Sequence, residues 1–284
     1  MPKVASAHQG SKPKLGQHFL ASQPAALRIV DALGDISQAT VLEIGPGRGA
    51  LTSLLAPKAR RVITVELDRV LAAQLRMLFS MRPNVEVIEG DFLKIELDTV
   101  FGPKPGSLRP GLTFAPEPAH VVGNLPYYIT SEIVLRLLEY HRYFSTIVIM
   151  VQKEVADRLA ASPGSRDYGL LSATAQLYAR VEKLFTLPPG AFAPPPKVHS
   201  SVVRMTIAPQ AAELRVPEDE FVSFLKLSFG QKRKTLWNNL KGRYDEGVLR
   251  AALARSGVKP TVRAEALALA KSAALFRALH NGTE

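Results

Sequence analysis

The segment "VLEIGPGRGALT", residues 41–52, passes from an apolar run through three glycines into the next apolar stretch. Gly45, Gly47 and Gly49 leave the backbone bare where a strand turns into a helix, so a ligand can approach it closely. Gly45, Gly47 and Ala50 also satisfy the dinucleotide-binding spacing G-x-G-x-x-G/A. The segment predicts an α/β sheet with a ligand at its first turn; a purely structural glycine turn is the alternative.

An acid follows at the end of the next strand. Glu66 closes the run "RVITVE", about 20 residues after Gly45, where a carboxylate binds ribose hydroxyls in dinucleotide-binding folds. Nicotinamide dinucleotide and S-adenosylmethionine are both compatible with this pattern. The two motifs alone therefore leave hydride transfer and methyl transfer open.

Strand-like and helix-like segments alternate through the first 150 residues, which predicts a parallel sheet covered on both faces. The strand-like runs are 40–45, 61–66, 85–89, 119–123 and 145–151, and helical spacing of apolar residues is clearest at 69–80 and 130–141. Two later runs, 181–187 and 198–206, are separated only by a Pro-rich loop. Because that loop is too short for a helical crossover, we expect the last strand pair to be antiparallel.

Two other parts of the sequence lack the alternation of strand-like and helix-like segments. Residues 98–118 contain five Pro and three Gly and predict a long surface loop before the fourth strand. After about residue 207 the pattern becomes helical only, at 218–229, 231–241, 245–256 and 263–279, with Gly257 as a helix stop. We therefore expect a large domain, 1–206, and a small helical domain, 207–284.

Composition excludes several classes of protein. With 284 residues, 46% of them hydrophobic, the chain can bury a sizeable core. No apolar run approaches the roughly 18 residues of a membrane helix, and no signal-peptide-like segment begins the sequence, so we expect a cytoplasmic protein that binds no membrane. Since it has no Cys, we expect no disulfide, no metal centre built on thiolates and no Cys nucleophile.

The charge indicates an anionic partner. The net charge is +11, which favours a nucleic acid. Residues 226–243 carry six basic residues and no acid, with Phe229 and Trp237 between them. Basic residues bind phosphates and aromatic rings stack on unpaired bases, so this segment predicts RNA contact. A solvated helix face with two core aromatics is the alternative.

Two further strand ends carry polar side chains. Asp91 follows the third strand, where it could accept a hydrogen bond from an adenine amine or cap a helix. Asn124 closes the fourth strand in "VVGNLPYYIT" (121–130). Gly45, Glu66, Asp91 and Asn124 should therefore meet in one crevice at the topological switch point, where open α/β sheets bind ligands.

Taken together, the motifs resemble a known family. The stretches are "EIGPGRGALT", "ELD", "GDFL" and "NLPYYI", with "GQHFL" (16–20), "AFAPPPKVHSSVVR" (191–204) and "QKRKTLWNNL" (231–240). Over residues 12–242 the chain is similar to class I S-adenosylmethionine-dependent methyltransferases, in particular the ribosomal RNA adenine dimethyltransferase family. The resemblance implies a Rossmann-like, mostly parallel sheet whose last strand pair is antiparallel, with a small C-terminal all-helical domain.

The resemblance also implies site residues. The cofactor would be S-adenosylmethionine, bound by His18, Leu20, Gly45, Gly47, Glu66, Asp91, Phe92 and Asn124. The family usually has Gln-Asn-Phe-Leu where this chain has Gln17-His18-Phe19-Leu20. His18 thus occupies the position of a cofactor-contacting Asn, while a backbone contact from Leu20 should be unaffected.

The residues Asn124, Leu125, Pro126 and Tyr127 are the predicted catalytic group. An adenine N6 amine is a poor nucleophile because its lone pair is delocalised into the ring. The Asn124 side-chain oxygen and the Leu125 carbonyl can accept its two N–H bonds and favour a pyramidal nitrogen, while Pro126 fixes the turn. Tyr127 would stack on the extruded base. Phe192 would line the target-base pocket or, alternatively, anchor its loop in the core.

The predicted reaction is dimethylation of N6 on two adjacent adenosines near the 3′ end of small-subunit ribosomal RNA, within small-subunit maturation. We expect a monomer that docks on the 30S particle through Lys232, Arg233 and Lys234. Lack of Cys excludes C5-methylation of pyrimidines and radical methylation. Two alternatives remain: a large-subunit adenine methylase that confers antibiotic resistance, and a non-catalytic assembly or transcription factor with the same fold.

Overall fold

A seven-stranded sheet organises the molecule. The computed structural model describes residues 17–102 and 117–280. In sheet order the strands are β4 (Val85–Glu89), β3 (Arg61–Glu66), β2 (Thr40–Ile44), β5 (Ala119–Asn124), β6 (Phe144–Gln152), β9 (Ser200–Ile207) and β7 (Ala179–Leu187). A separate two-stranded sheet pairs β1 (Phe19–Leu20) with β8 (Phe192–Ala193).

Strand directions agree with the sequence prediction. Strands β2 to β6 pair in parallel, and β9 is antiparallel to both β6 and β7. The chain leaves β2 toward β3 and β4 and then returns to the other side of β2 with β5, so the switch point lies between β2 and β5. There Ile44 pairs with Gly123, which brings Gly45 and Asn124 together at the carboxyl edge of the sheet.

Helices cover both faces of the sheet. They are α1 (Gln23–Asp31), α2 (Thr52–Leu55), α3 (Arg69–Leu78), α4 (Leu97–Phe101), α5 (Thr130–Glu139), α6 (Lys153–Leu159), α7 (Leu170–Tyr178), α8 (Ala211–Leu214), α9 (Glu218–Ser228), α10 (Leu236–Leu240), α11 (Glu246–Ser256) and α12 (Leu269–His280). Successive strand residues face opposite cores: Leu42 and Ile44 join one cluster and Val41 the other. Burial on both faces explains why these strands read as continuous apolar runs.

Two predicted helices are wrong in their bounds, and the predicted loop 98–118 is wrong at its first residues. The predicted helix 231–241 is reduced to α10, because residues 231–234 form a turn and Thr235 caps the helix by accepting from the Asn238 N–H at 3.3 Å. The predicted helix 263–279 begins only at Leu269. The predicted loop 98–118 starts within α4, where Asp98 accepts a hydrogen bond from Arg142 at 2.6 Å; residues 103–116 lie outside the described part.

The helical C-terminal part packs directly on the sheet domain. Phe221, Phe224 and Phe276 form an aromatic group with ring centroids 5.6 to 6.1 Å apart, and they share one hydrophobic cluster with Leu137 of α5 and Leu177 of α7. The predicted boundary at residue 207 falls where the last strand ends and helices begin. Among the described helices, none has the length and apolarity needed to cross a membrane.

Candidate active site at the carboxyl edge of the sheet

A cleft of about 280 Å³ opens over the switch point, near the lower end of the size range of small-molecule sites. It is lined by residues from the ends of β2, β3, β4 and β5 and by residues 17–21. The sequence-predicted residues that line it are His18, Leu20, Gly45, Gly47, Glu66, Asp91, Phe92, Asn124, Leu125, Pro126 and Tyr127. The structure therefore brings most of the predicted site together.

The glycine turn after β2 requires glycine. Gly45, Gly47 and Gly49 have φ values of +66°, +57° and +82°, which L-residues with a Cβ rarely adopt. A Cβ on Gly47 would also lie 2.9 Å from the ring of Phe19. The Gly47 N–H donates to the Glu66 Oε2 at 2.9 Å. Glu66 therefore helps to fix this turn, of which Gly45 and Gly47 line the cleft.

Glu66 ends β3 and is almost fully buried. Its Oε1 accepts from the Asp68 N–H at 2.9 Å while its Oε2 holds Gly47. Burial raises the pKa of this carboxyl, although the backbone N–H donors of Asp68 and Gly47 oppose that rise. Glu66 therefore already shapes the glycine turn, and its contact with a ribose remains a prediction.

Glu43 is a cleft residue that the sequence reading did not identify. It lies on β2, is 1% exposed, and accepts a hydrogen bond from the Thr52 hydroxyl at 2.6 Å. Burial raises its pKa to about 7 from 4.5, partly offset by Thr52. The signal was present in "TVLEIG", because an acid inside an otherwise apolar buried strand needs a reason to be there.

Asp91 and Phe92 follow β4. The Asp91 side chain caps a short 3₁₀ turn by accepting from the Leu93 N–H at 3.0 Å, and it also lines the cleft. The structure therefore shows the predicted cap, while the predicted hydrogen bond from an adenine amine stays a prediction. Phe92 is 5% exposed and closes the cleft from the core side.

The turn after β5 is fixed at each residue. The Asn124 Nδ2 donates to the His18 carbonyl at 2.7 Å, and the Leu125 N–H donates to the Met150 carbonyl at 3.1 Å. A carbonyl only accepts, so the Asn124 amide nitrogen faces His18 and its Oδ1 remains for the cleft. Within the described residues, no donor reaches the Oδ1 of Asn124 or the carbonyl of Leu125. Asn124 and Leu125 both line the cleft, so each brings one acceptor without a donor among the described residues to this site.

Tyr127 is half-buried beside these acceptors. Its hydroxyl lies 2.6 Å from the Ser200 Oγ, and its ring stacks on His18 with centroids 5.6 Å apart. Burial raises the pKa of the Tyr127 phenol, and the hydrogen bond with Ser200 opposes that rise. The Tyr127 side chain is thus held both at its hydroxyl and on its ring.

Two predicted residue groups lie elsewhere. Phe192 is 3% exposed and packs in the core beneath β1 and β8, whereas its neighbour Ala193 lines the cleft. The prediction that Phe192 lines the base pocket is therefore wrong in this structure, because its side chain belongs to a buried hydrophobic cluster, and it anchors the loop. Lys232, Arg233 and Lys234 are exposed in the turn before α10, away from the residues that line the cleft.

The Lys232 turn meets the sheet domain. The Lys232 Nζ donates to the Arg166 carbonyl at 3.2 Å, and a shallow depression there is lined by Arg166, Lys232, Arg233 and Arg263 with Glu265. Four cations against one acid make this a positively charged surface. It is compatible with the predicted RNA contact, which stays a prediction.

Fold and cleft together define a class I methyltransferase, an α/β enzyme that uses S-adenosylmethionine. The chain belongs to the ribosomal RNA adenine dimethylase family, whose model matches residues 8–281. It is 58% identical over 286 residues to ribosomal RNA small subunit methyltransferase A of Koribacter versatilis, covering 99% of this chain and 100% of the relative. Identity to the protein of the same name from Acidobacterium capsulatum is 52% over 280 residues, covering 98% and 95%.

Solved structures agree with the fold. A dimethyladenosine transferase from Plasmodium falciparum superposes with a TM-score of 0.71 at 26% identity, covering 93% of this chain and 98% of that one. The 23S rRNA methyltransferase ErmE gives a TM-score of 0.66 at 29% identity, covering 92% and 99%. The predicted fold class and the predicted family are therefore confirmed.

Proposed function

We propose that this chain transfers methyl groups from S-adenosylmethionine to N6 of two adjacent adenosines near the 3′ end of small-subunit ribosomal RNA, as a step in small-subunit maturation. The observation that carries the proposal is the turn after β5, where Asn124 and Leu125 line the cleft and no donor among the described residues reaches the Asn124 Oδ1 or the Leu125 carbonyl, while the Asn124 Nδ2 donates to His18. The relatives at 58% and 52% identity, both named small subunit methyltransferase A, support the choice of RNA.

The cleft suits S-adenosylmethionine. When bound, that cofactor supplies an electrophilic methyl group on a positively charged sulfur. The bare backbone of Gly45 and Gly47 can approach a ligand closely, and Glu43 and Glu66 place two buried carboxylates where a cation would offset their desolvation. Asp91, Phe92 and residues 18–20 complete the proposed binding site.

The turn after β5 would position the amine. Asn124 and Leu125 accept its two N–H bonds, which favours a tetrahedral nitrogen with its lone pair directed away from both acceptors. The nitrogen becomes acidic only after it gains a methyl group, so its proton can pass to solvent without a strong base. Tyr127, clamped by Ser200, offers a ring on which the extruded adenine stacks.

The other assignments follow from this reaction. We place RNA docking on Lys232, Arg233 and Lys234. Because the proposed catalytic groups all come from one chain, the proposed active form is a monomer on the 30S particle. The proposed location is the cytoplasm. A large-subunit methylase is less well supported, because the identity to ErmE is 29% against 58% for the small-subunit relative. A non-catalytic factor would not need the open acceptors at Asn124 and Leu125.

The proposal is tested by substrate mapping. The protein would be incubated with labelled S-adenosylmethionine and, separately, undermethylated 30S particles, 50S particles and free ribosomal RNA. We expect label in 30S particles, recovered as N6,N6-dimethyladenosine at two adjacent positions. Label in 50S particles would favour the large-subunit methylase, and no transfer to any substrate would favour the non-catalytic factor.

A further inference from the structure

His18 links three parts of the site. Its Nδ1 lies 2.8 Å from the Pro194 carbonyl, and its ring stacks on Tyr127 at an interplanar angle of 29°. Its own carbonyl accepts the hydrogen bond from the Asn124 Nδ2. One residue therefore contacts the loop after β8 and both ends of the turn after β5.

The geometry fixes the imidazole. Because the Pro194 carbonyl can only accept, Nδ1 carries the proton and donates, and the ring plane is set between that carbonyl and the Tyr127 face. An Asn side chain, the residue usual at this position in the family, has no aromatic face to offer Tyr127. The stacking contact therefore belongs to the imidazole of this chain.

We propose that His18 is a positioning residue for methyl transfer and that its side chain acts on Tyr127 rather than on the cofactor. This rests on the proposed function, in which Tyr127 stacks on the target base. Tyr127 is held at its hydroxyl by Ser200 and on its ring by His18, so less ring motion has to be lost when the base arrives. The same residue's backbone holds Asn124, which aligns acceptor and stacking ring as one unit.

Kinetics separate this role from cofactor binding. His18→Ala and His18→Asn remove the aromatic face, whereas His18→Phe keeps a ring and loses only the bond to Pro194. The Ala and Asn variants lose the stacked ring. We therefore expect their single-turnover rate at saturating cofactor and RNA to be roughly 3- to 10-fold lower, which is the scale of an aromatic pair interaction. We expect the Phe variant within twofold of wild type and S-adenosylmethionine affinity within about threefold in all variants. A tenfold loss of cofactor affinity with an unchanged saturated rate, or a Phe variant as slow as Ala, would overturn the proposal.

A second measurement needs no activity. Tyrosines would be labelled with ¹³C in the ring, and the Tyr127 signal would be assigned by its loss in Tyr127→Phe. We expect His18→Ala to move that signal, because it removes the stacked ring, and the control His280→Ala to leave it in place, since the His280 ring contacts Phe276 and Tyr244 rather than Tyr127. An unmoved signal in His18→Ala contradicts the proposal. A wild-type protein that methylates no adenosine would instead contradict the proposed function, and the Tyr127 shift would still report on the stack.

Discussion

Replacing Glu43 with Gln should stabilise the free protein and weaken cofactor binding. Glu43 is 1% exposed, and burial raises its pKa to about 7 from the value of 4.5 expected in the unfolded chain. Between these values the folded state keeps a proton that the unfolded state has released, so the free energy of unfolding falls as pH rises from about 4.5 to about 7 and is then level. The difference between the folded and unfolded pKa values of Glu43 lowers the free energy of unfolding by about 3 kcal/mol at pH 8 and by about 1 kcal/mol at pH 5.

Glu43→Gln removes the ionisable group but keeps an oxygen for the Thr52 hydroxyl. Urea unfolding across pH should therefore show the variant about 3 kcal/mol more stable than wild type at pH 8 and only about 1 kcal/mol more stable at pH 5. Glu154→Gln, at an exposed site, is the control and should show no such trend. Equal stabilities at pH 8, or a gap that does not shrink at pH 5, would refute this reading of the buried carboxylate.

The same carboxylate should favour a positively charged ligand. Wild-type affinity for S-adenosylmethionine should rise as pH passes through about 7, where Glu43 ionises, and Glu43→Gln should bind about tenfold more weakly at pH 8 with a flatter pH dependence. Calorimetry at several pH values measures both. A variant that binds as tightly as wild type would mean that the charge of Glu43 serves no ligand.

Three other changes probe the rest of the site. Glu66→Ala should weaken S-adenosylmethionine binding by about 1.5 to 3 kcal/mol, the scale of hydrogen bonds to a charged group, and unchanged calorimetric affinity would contradict its assignment. Gly47→Ala should lower unfolding stability by about 1 to 2 kcal/mol because φ is +57°, and a melting temperature equal to wild type would show that the turn relaxes. Alanine at Lys232, Arg233 and Lys234 together should reduce the salt slope of 30S binding by about one to two units, with normal cofactor affinity; an unchanged slope would mean a solvated surface.

The sheet was predictable because its strands are long apolar runs separated by clear breaks. Burial on both faces makes strands such as 61–66 apolar throughout, so the sequence marks their ends closely. The ligand-binding edge could be predicted equally well, because parallel strands place the residues that follow them at one edge of the sheet. Gly45, Glu66, Asp91 and Asn124 do line one cleft.

The wrong predictions share one physical cause. Contacts between distant parts of the chain decide the structure at these positions, and local sequence patterns do not show such contacts. The sequence left Phe192 open between the base pocket and the core, because its position relative to β1 depends on a pairing between residues far apart in the chain. The sequence pattern predicts a helix at 231–234. In the structure these residues form a turn in which the Lys232 ammonium donates to the Arg166 carbonyl. Glu43 lies inside a strand rather than at its end, and only the fold shows that its position borders the cleft.

The link between His18 and the turn after β5 could not have been predicted either. The Asn124 amide and the His18 carbonyl are separated by 106 positions, and the contact arises only when residues 17–20 cross the carboxyl edge of the sheet. Sequence patterns identify the two motifs singly. Only the structure shows that one orients the other.

The central claim is that the free amide oxygen of Asn124 positions the amine nitrogen for methyl transfer. It is tested most directly by the single-turnover rate of Asn124→Ala with cofactor and 30S particles both saturating. We predict a rate lower by about 100-fold or more, with cofactor and RNA affinities within a few-fold of wild type, because the lost contact matters most as the nitrogen becomes pyramidal. A near-normal rate in a folded variant that binds both ligands would contradict the account.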